Sequence, residues 1–338
     1  MKQPKVTVVT LVCVDRWKFL RHVVEAVMKD EHVTKLVIVD NASSTSQEMK
    51  EGVVSFGDRV EIIRHERNLG SAGGFHAGLK RARETDCDFV FILDDDSVPE
   101  EGTIAQFLEI RKLFDSPRVI LSGNRPNLLE NKEFFYQPVL RDVRARGTFF
   151  KIFSFKKVGY FFNLLIGKHH KSRTRGPFVP VIPTEAFVYG GAFIPVEAVR
   201  EAPLPDADLF LYGDDVEYSW GLKKAGYDSY LCAKPLILDI DETFAGGSHL
   251  FGLFLPSTKP FKVYYIIRNR VRLSVRHSRQ NRIILFLNIS VWIFGLLILG
   301  FTRFGPTKNY FSRASLIVRA TVDGYFPARN APEVAALP

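Results

Sequence analysis

"FVFILDDDSVPE", residues 89–100, runs five apolar residues straight into three consecutive carboxylates. The apolar half reads as a buried strand. Three like charges at its end repel one another, so a positive partner is expected beside them. Strand geometry points Asp94 and Asp96 to one side and Asp95 to the other, which lets two carboxylates converge on one hard divalent cation. Magnesium or manganese bound by one or two carboxylates fills its shell with water and phosphate oxygens. The expected partner is therefore a metal ion carrying a diphosphate. The competing reading is a solvated acidic turn ahead of "SVPEEG", where negative charge near a helix start is mildly favourable.

Outward from this stretch, the first 125 residues alternate between two kinds of segment. Short β-branched runs at 5–14, 35–40, 59–65 and 88–94 are separated by helix-like stretches at 17–30, 44–54, 72–84 and 100–114. Such alternation predicts an α/β fold, a mostly parallel sheet flanked by helices. Ligands of these sheets bind beyond the carboxyl ends of the strands, where Asp15, Asp40, Asn68 and Asp94 fall. Further strands are expected at 185–195 and 228–239. A helix is expected from Asp214 to Ala225, closed by Gly226. Residues 125–180 break the pattern: "GTFFKIFSFKKVGYFFNLLIGKHHKSRTRG" mixes phenylalanines with basic residues and has no acidic one. It reads either as a loop-rich insertion with a small aromatic core or as a lipid-facing surface.

With 338 residues, 46% of them hydrophobic, the chain is long enough to bury a substantial core, and disorder is excluded. Cys13, Cys87 and Cys232 lie far apart in apolar runs, with no CxxC or Cys/His cluster, and read as reduced thiols of a cytosolic protein. "MKQPKVTVVTLVCV" is broken by Asp15 and Arg16 and has no small-residue cleavage site, so it reads as a first strand, not a signal peptide.

The charge is unevenly placed. Between Thr243 and Val322 there are twelve Lys and Arg and no Asp or Glu, against a net charge of +9 for the whole chain. The rest is therefore slightly acidic, and the basic C-terminal quarter marks a local polyanion-binding surface. Nucleic acid and an anionic membrane are the two candidates. The membrane is favoured because the cations surround "IILFLNISVWIFGLLILGF", residues 283–301, which carries no charge. As a helix this would be about 28 Å long, near the ~30 Å of a bilayer core. Basic residues flank both ends, which fits a segment lying in the interface better than one crossing it. A buried core helix is the alternative.

Two further motifs carry chemistry. "RNLGSAGGFHAGL", residues 67–79, has glycines at 70, 73, 74 and 78 in a strand-to-helix turn, where backbone can approach a ligand closely and amides stay free. It lacks the Gly-Lys-Ser/Thr ending of a phosphate-binding P-loop. "LYGDDVEYSWGLKKAGY", residues 211–227, puts Asp214 and Asp215 at a helix N-terminus. A carboxylate beside a metal-bound diphosphate sugar is suited to taking a proton from an attacking hydroxyl; an acidic helix cap is the plain alternative.

Together with "VIVDNASS" (37–44), "GGAF" (190–193) and "YYIIRNRVRL" (264–273), these motifs, in this order, resemble the GT-A-fold glycosyltransferases of family 2 over roughly residues 4–245. Galactofuranosyltransferases are the most similar group and rhamnosyltransferases follow. The resemblance implies a 1–245 catalytic domain containing the 125–180 insertion, and a 246–338 helical region that meets membrane and acceptor. It implies that Asp40 contacts the base, with Thr10 to Arg16 lining the nucleotide pocket. Asp94 and Asp96 would meet Mn²⁺ or Mg²⁺ and the diphosphate, and Asp95 the ribose or sugar. Gly190 and Gly191 would lie beneath the donor sugar, with Asn68, Gly73 and Asp214 completing the donor site. Asp215 would be the general base of an inverting transfer. Where the family often has a metal-binding histidine this chain has Asp239, with Asp241 nearby as an alternative. Gly221 stands where an arginine is common.

The implied activity is transfer of a sugar, galactofuranose from its UDP form or rhamnose from its dTDP form, to a polyprenyl-diphosphate-linked or polymeric glycan acceptor in bacterial cell-surface polysaccharide synthesis. The implied location is the cytoplasmic face of the inner membrane, peripheral or monotopic, with no nucleic-acid partner. A non-catalytic nucleotide-sugar or membrane-docking protein is the rival of another class, and a nucleotidyltransferase is a further rival. Against the latter, the first strand end lacks a basic, glycine-rich loop to neutralise a triphosphate.

Overall fold

The computed structural model describes residues 3–126, 135–136, 177–241, 250–278 and 281–326. The aromatic and basic insertion therefore falls almost wholly outside the described residues. The chain forms two compact units.

The first unit is built on a nine-stranded sheet among the described residues. Its strands are β1 (Val6–Val12), β2 (Val33–Asn41), β3 (Val60–His65), β4 (Phe89–Asp94), β5 (Ser97–Pro99), β6 (Val119–Asn124), β7 (Val181–Thr184), β8 (Ala192–Pro195) and β9 (Asp228–Asp239). The order is β3-β2-β1-β4-β8-β6-β9-β5, with β7 also on β9. Parallel pairing joins β3, β2, β1 and β4, and also β6 and β9. The contacts of β8 with β4 and β6, and of β9 with β5 and β7, are antiparallel. The sheet is thus mixed, parallel in its first half as the alternating pattern predicts and interrupted where β8 enters.

Helices α1 (Trp17–Lys29), α2 (Ser46–Val53), α3 (Gly70–Ala82), α4 (Thr103–Arg111), α5 (Val196–Glu201) and α6 (Asp214–Lys224) flank this sheet. The continuous strand expected at 185–195 is not formed, for strand pairing is confined to β7 and β8. Between them Gly191 has φ +105, a backbone state that turns the chain and favours glycine. One core cluster joins Val8, Leu36, Phe91, Phe107 and Phe193 under α1 and α4, and another joins Val9, Val37, Phe75, Leu79 and Tyr218 under α3 and α6.

The glycines of α3 have packing reasons. A Cβ on Gly74 would overlap the Leu11 side chain, and one on Gly78 would lie 2.5 Å from Val9 Cγ1, so both let the helix approach β1. Gly70, at φ +71, lies against the Phe210 carbonyl.

The second unit contains α7 (Pro260–His277), α8 (Arg282–Phe304) and α9 (Lys308–Tyr325). Its core joins Phe254, Tyr264, Ile267, Leu285, Trp292, Tyr310 and Ile317. Residues 211–213 belong to this unit, and Asn269 Nδ2 donates to the carbonyls of Leu211 and Tyr212 at 2.7 and 2.8 Å. Tyr212 and Gly213 have φ of +67° and +82°, a strained turn whose carbonyls the asparagine satisfies.

α8 has 23 residues and a mean hydropathy of 2.5 over its most apolar window, long and apolar enough to cross a membrane by length and composition. One face packs through Leu285, Ile289, Trp292 and Leu296. The other leaves Ile283, Phe286, Leu287, Phe294, Ile298 and Phe301 exposed. A fully buried core helix is therefore excluded.

Candidate active site

The acidic cluster lies where β4 ends. The strand closes at Asp94 and the chain turns at Asp95 and Asp96, so strict alternation stops there. Asp95 and Asp96 consequently face the same group. Arg16 Nε donates to Asp95 Oδ2 at 2.7 Å, its Nη2 to Asp96 Oδ2 at 2.9 Å and its Nη1 to Asp241 Oδ2 at 2.6 Å. Asp94 instead meets Arg125, whose Nη1 donates to Asp94 Oδ2 at 3.1 Å while Nε and Nη2 fork onto Asp239 at 3.1 and 2.5 Å. The partner that three adjacent carboxylates require thus comes first from the chain itself, as two guanidiniums.

Arg16 was within reach of sequence reasoning, directly after the first strand. Arg125 was not, for nothing in "SGNRPN" (122–127) marks that arginine as facing residues 94 and 239.

Among the described residues, five carboxylates, Asp94, Asp95, Asp96, Asp239 and Asp241, gather around two arginines, three more formal negative charges than positive ones if all are ionised. Burial pushes Asp95 up to about 7 despite the hydrogen bond from Arg16. Burial, and then the charge of Asp94, pushes Asp96 up to about 6. Desolvated like charges favour the neutral form. A divalent ion would relieve that cost, and the donors are hard carboxylate oxygens suited to Mg²⁺ or Mn²⁺. Among the described residues no three such groups converge into a ready-made metal cage. The residue types and the charge fit the ion, and the side chains are drawn onto arginine.

Gly190 forms a floor against this pair. A Cβ there would lie 2.5 Å from both Arg125 Nη1 and Asp94 Oδ2, and 2.9 Å from Ser97 Oγ. Gly191 donates its N–H to Ile92 O at 2.9 Å and accepts from Gly123 N at 3.0 Å, which fixes this floor to β4 and β6.

Asp214 and Asp215 open α6. Asp214 is buried and accepts from Ser71 Oγ at 2.9 Å, which ties it to the glycine-rich turn. Asp215 Oδ1 accepts from Val216 N at 2.7 Å. Burial raises both carboxyls above the usual carboxylate range. The charge of Asp94 adds to the rise in each, and Arg125 opposes it at Asp215.

The other expected residues are more dispersed. Asp40 is fully buried, accepts from Ser43 N at 2.8 Å and pairs with Arg64. Asn68 Oδ1 accepts from Gly70 N and Asn41 Nδ2, both at 2.8 Å, so Asn68 shapes the turn that starts α3. Asn41, which sequence reasoning missed, reinforces it by accepting from Leu69 N at 2.9 Å. Gly73 lies inside α3, where a Cβ would sit 2.6 Å from Leu69 Cβ. Thr10 is buried within β1, paired with Ile38 and Leu93, and its hydroxyl has no hydrogen-bond partner among the described residues. Around Gly221 there is open space, so the small residue there is not required by packing.

Residues 8–163 match the family described as Glycosyl transferase family 2. This stretch, a little under half of the chain, is similar to the family 2 glycosyltransferases. It is 24% identical over 210 residues to galactofuranosyltransferase GlfT1 of Mycolicibacterium smegmatis, covering 61% of each chain. It is 28% identical over 124 residues to GlfT2 of the same organism, covering 36% of this chain and 18% of that one. The chain thus spans less than two thirds of either relative.

Two solved structures share the fold. One is the mannosyltransferase PcManGT of Pyrobaculum calidifontis in complex with GDP-Man and Mn²⁺, with TM-score 0.54 and 12% identity over 97% of this chain and 88% of that one. The other is GalNAc-T7 with UDP, GalNAc and Mn²⁺, with TM-score 0.52 and 13% identity over 80% and 51%. The GT-A-like architecture expected from the motifs is the one the chain shares with these structures.

Proposed function

We propose that the protein is a metal-dependent inverting galactofuranosyltransferase, using UDP-galactofuranose as donor and a polyprenyl-diphosphate-linked or polymeric glycan as acceptor. The observation that carries this reading is the acidic cluster at the end of β4, where Asp94, Asp95, Asp96, Asp239 and Asp241 gather around Arg16 and Arg125; Asp215 is read as its proton acceptor. A proton acceptor and a diphosphate-binding cluster then serve one reaction. The naming of both relatives as galactofuranosyltransferases favours that donor.

In this reading Asp94 and Asp96 hold the divalent ion, with Asp239 as the further ligand. When bound, the ion supplies positive charge to the diphosphate leaving group. Asp215 takes the proton of the acceptor hydroxyl as its oxygen bonds to the anomeric carbon. The bond from that carbon to the diphosphate breaks on the opposite face, and its electron pair leaves with the nucleoside diphosphate. Burial keeps Asp215 basic enough for the task. Gly190, without a side chain, lets Asp94 and Arg125 close against the backbone beneath the sugar, and Arg16 orders Asp95 and Asp96 on the nucleotide side.

The second unit supports action at a membrane. The exposed apolar face of α8 and the cations at its ends, Arg282 and Arg303, suit an anionic bilayer surface, consistent with a peripheral or monotopic enzyme at the cytoplasmic face of a bacterial inner membrane.

The decisive experiment offers purified protein a panel of UDP- and dTDP-sugars, including UDP-galactofuranose and dTDP-rhamnose, with Mn²⁺ and a lipid-linked acceptor. Transfer from UDP-galactofuranose is expected. Transfer from dTDP-rhamnose alone would reassign the donor, and donor binding without any transfer would favour a docking protein.

A further inference from the structure

Arg125 holds two carboxylates that the proposed reaction needs for a metal ion. Its guanidinium forks onto both oxygens of Asp239 and reaches Asp94 with its third contact. It is largely buried, so these bonds are little weakened by water. A guanidinium and a divalent ion use the same carboxylate lone pairs and repel each other across a short distance. Arg125 and the ion therefore oppose one another at Asp94 and Asp239 as long as the charge around them consists of those carboxylates alone.

A diphosphate changes that balance. It brings additional negative charge and planar pairs of oxygens, which an arginine fork matches as well as it matches a carboxylate. The Nη1 atom already lies against Gly190, in the space that a Cβ there would take, beside Asp94 Oδ2.

We propose that Arg125 is a donor-positioning residue that withholds Asp94 and Asp239 from the divalent ion until the nucleotide diphosphate engages its guanidinium, so that ion and nucleotide are retained together. Arg16 makes its own three carboxylate contacts, to Asp95, Asp96 and Asp241, on the other side of the cluster. The inference rests on the nucleotide-sugar reading above.

The test compares wild type with Arg125→Gln, by electron paramagnetic resonance titration of Mn²⁺ without nucleotide and by calorimetry of UDP with Mn²⁺ present. Loss of the competing cation is expected to tighten Mn²⁺ binding by about tenfold and to weaken UDP binding by about tenfold. Shifts of opposite sign separate this role from a structural one, since a damaged fold weakens both. Unchanged or weaker Mn²⁺ binding in a folded Arg125→Gln protein, or unchanged UDP binding, overturns the proposal. If circular dichroism shows that variant unfolded, Arg125→Lys, which keeps the charge and loses the fork, is expected to bind Mn²⁺ as wild type does and UDP more weakly; UDP binding equal to wild type overturns it. Wild-type protein that binds no UDP even with Mn²⁺ defeats the donor-site reading itself, and the role of Arg125 with it.

Discussion

Ser71 donates its hydroxyl to Asp214 Oδ2 at 2.9 Å across 143 residues of sequence. It is the second residue of the glycine-rich helix, and Asp214 is the first residue of the helix carrying the proposed base. The bond lies partly buried and its acceptor is almost wholly so, so the carboxylate depends on it for compensation of its lost hydration. Ser71→Ala is expected to destabilise the protein by about 1–3 kcal/mol, read as a lower urea midpoint. A midpoint equal to wild type would show that this bond contributes nothing to stability.

Asp215→Asn keeps the shape of the side chain and removes its basicity. Transfer is expected to fall by about 10²–10⁴-fold, while UDP affinity in calorimetry stays at the wild-type value. A variant that transfers at the wild-type rate removes Asp215 from the reaction.

The pH profile carries the sign of the burial at Asp215. A base acts in its ionised form, and the Asp215 carboxyl titrates above the ordinary carboxylate range. The acid limb of kcat is therefore expected well above pH 4, with activity lost as pH falls through the raised pKa and regained as it climbs. Kinetics in wild type and Asp215→Asn, with residual rate followed in both, check this: the limb should vanish in the variant. Its persistence there would assign it to another group.

Gly190→Ala tests the floor of the site. The added methyl meets Arg125 Nη1 and Asp94 Oδ2 at 2.5 Å, too close for either to remain. Both contacts are side-chain tips, so the fold should survive at a cost of about 1–3 kcal/mol. Donor KM is expected to rise about tenfold or more on that scale, with little change in far-ultraviolet circular dichroism. An unchanged KM would place the sugar elsewhere.

Co-sedimentation with vesicles examines α8. Protein is expected to pellet with anionic vesicles at low salt, less at high salt as screening shortens the reach of its cations, and poorly with neutral ones. Phe294→Ser, on the exposed face, should weaken the association, because it removes apolar area from the interface. Indifference to vesicles under all conditions would reassign the apolar face to another partner.

Local sequence determined the parallel half of the sheet, the glycine-rich turn, the acidic end of β4 and the acidic start of α6. Each follows from residues adjacent in the chain: β-branched runs favour strands, glycines admit close packing, and carboxylates favour helix N-termini. The left-handed turn at Gly191, which separates β7 from β8, left no periodic signal, and the strand expected across it was too long. Pairwise contacts between distant residues were not legible at all. Arg16 reaches Asp241 across 225 positions and Arg125 reaches Asp239 across 114. Such pairs have no period and no local propensity; they exist only once β1, β4, β6 and β9 are laid side by side. The chain alone announced that the acidic cluster needs positive charge. Only the assembled sheet decided that two arginines supply part of it, because an ion pair is chosen by distance in space and by shared burial, neither of which is written in the order of residues.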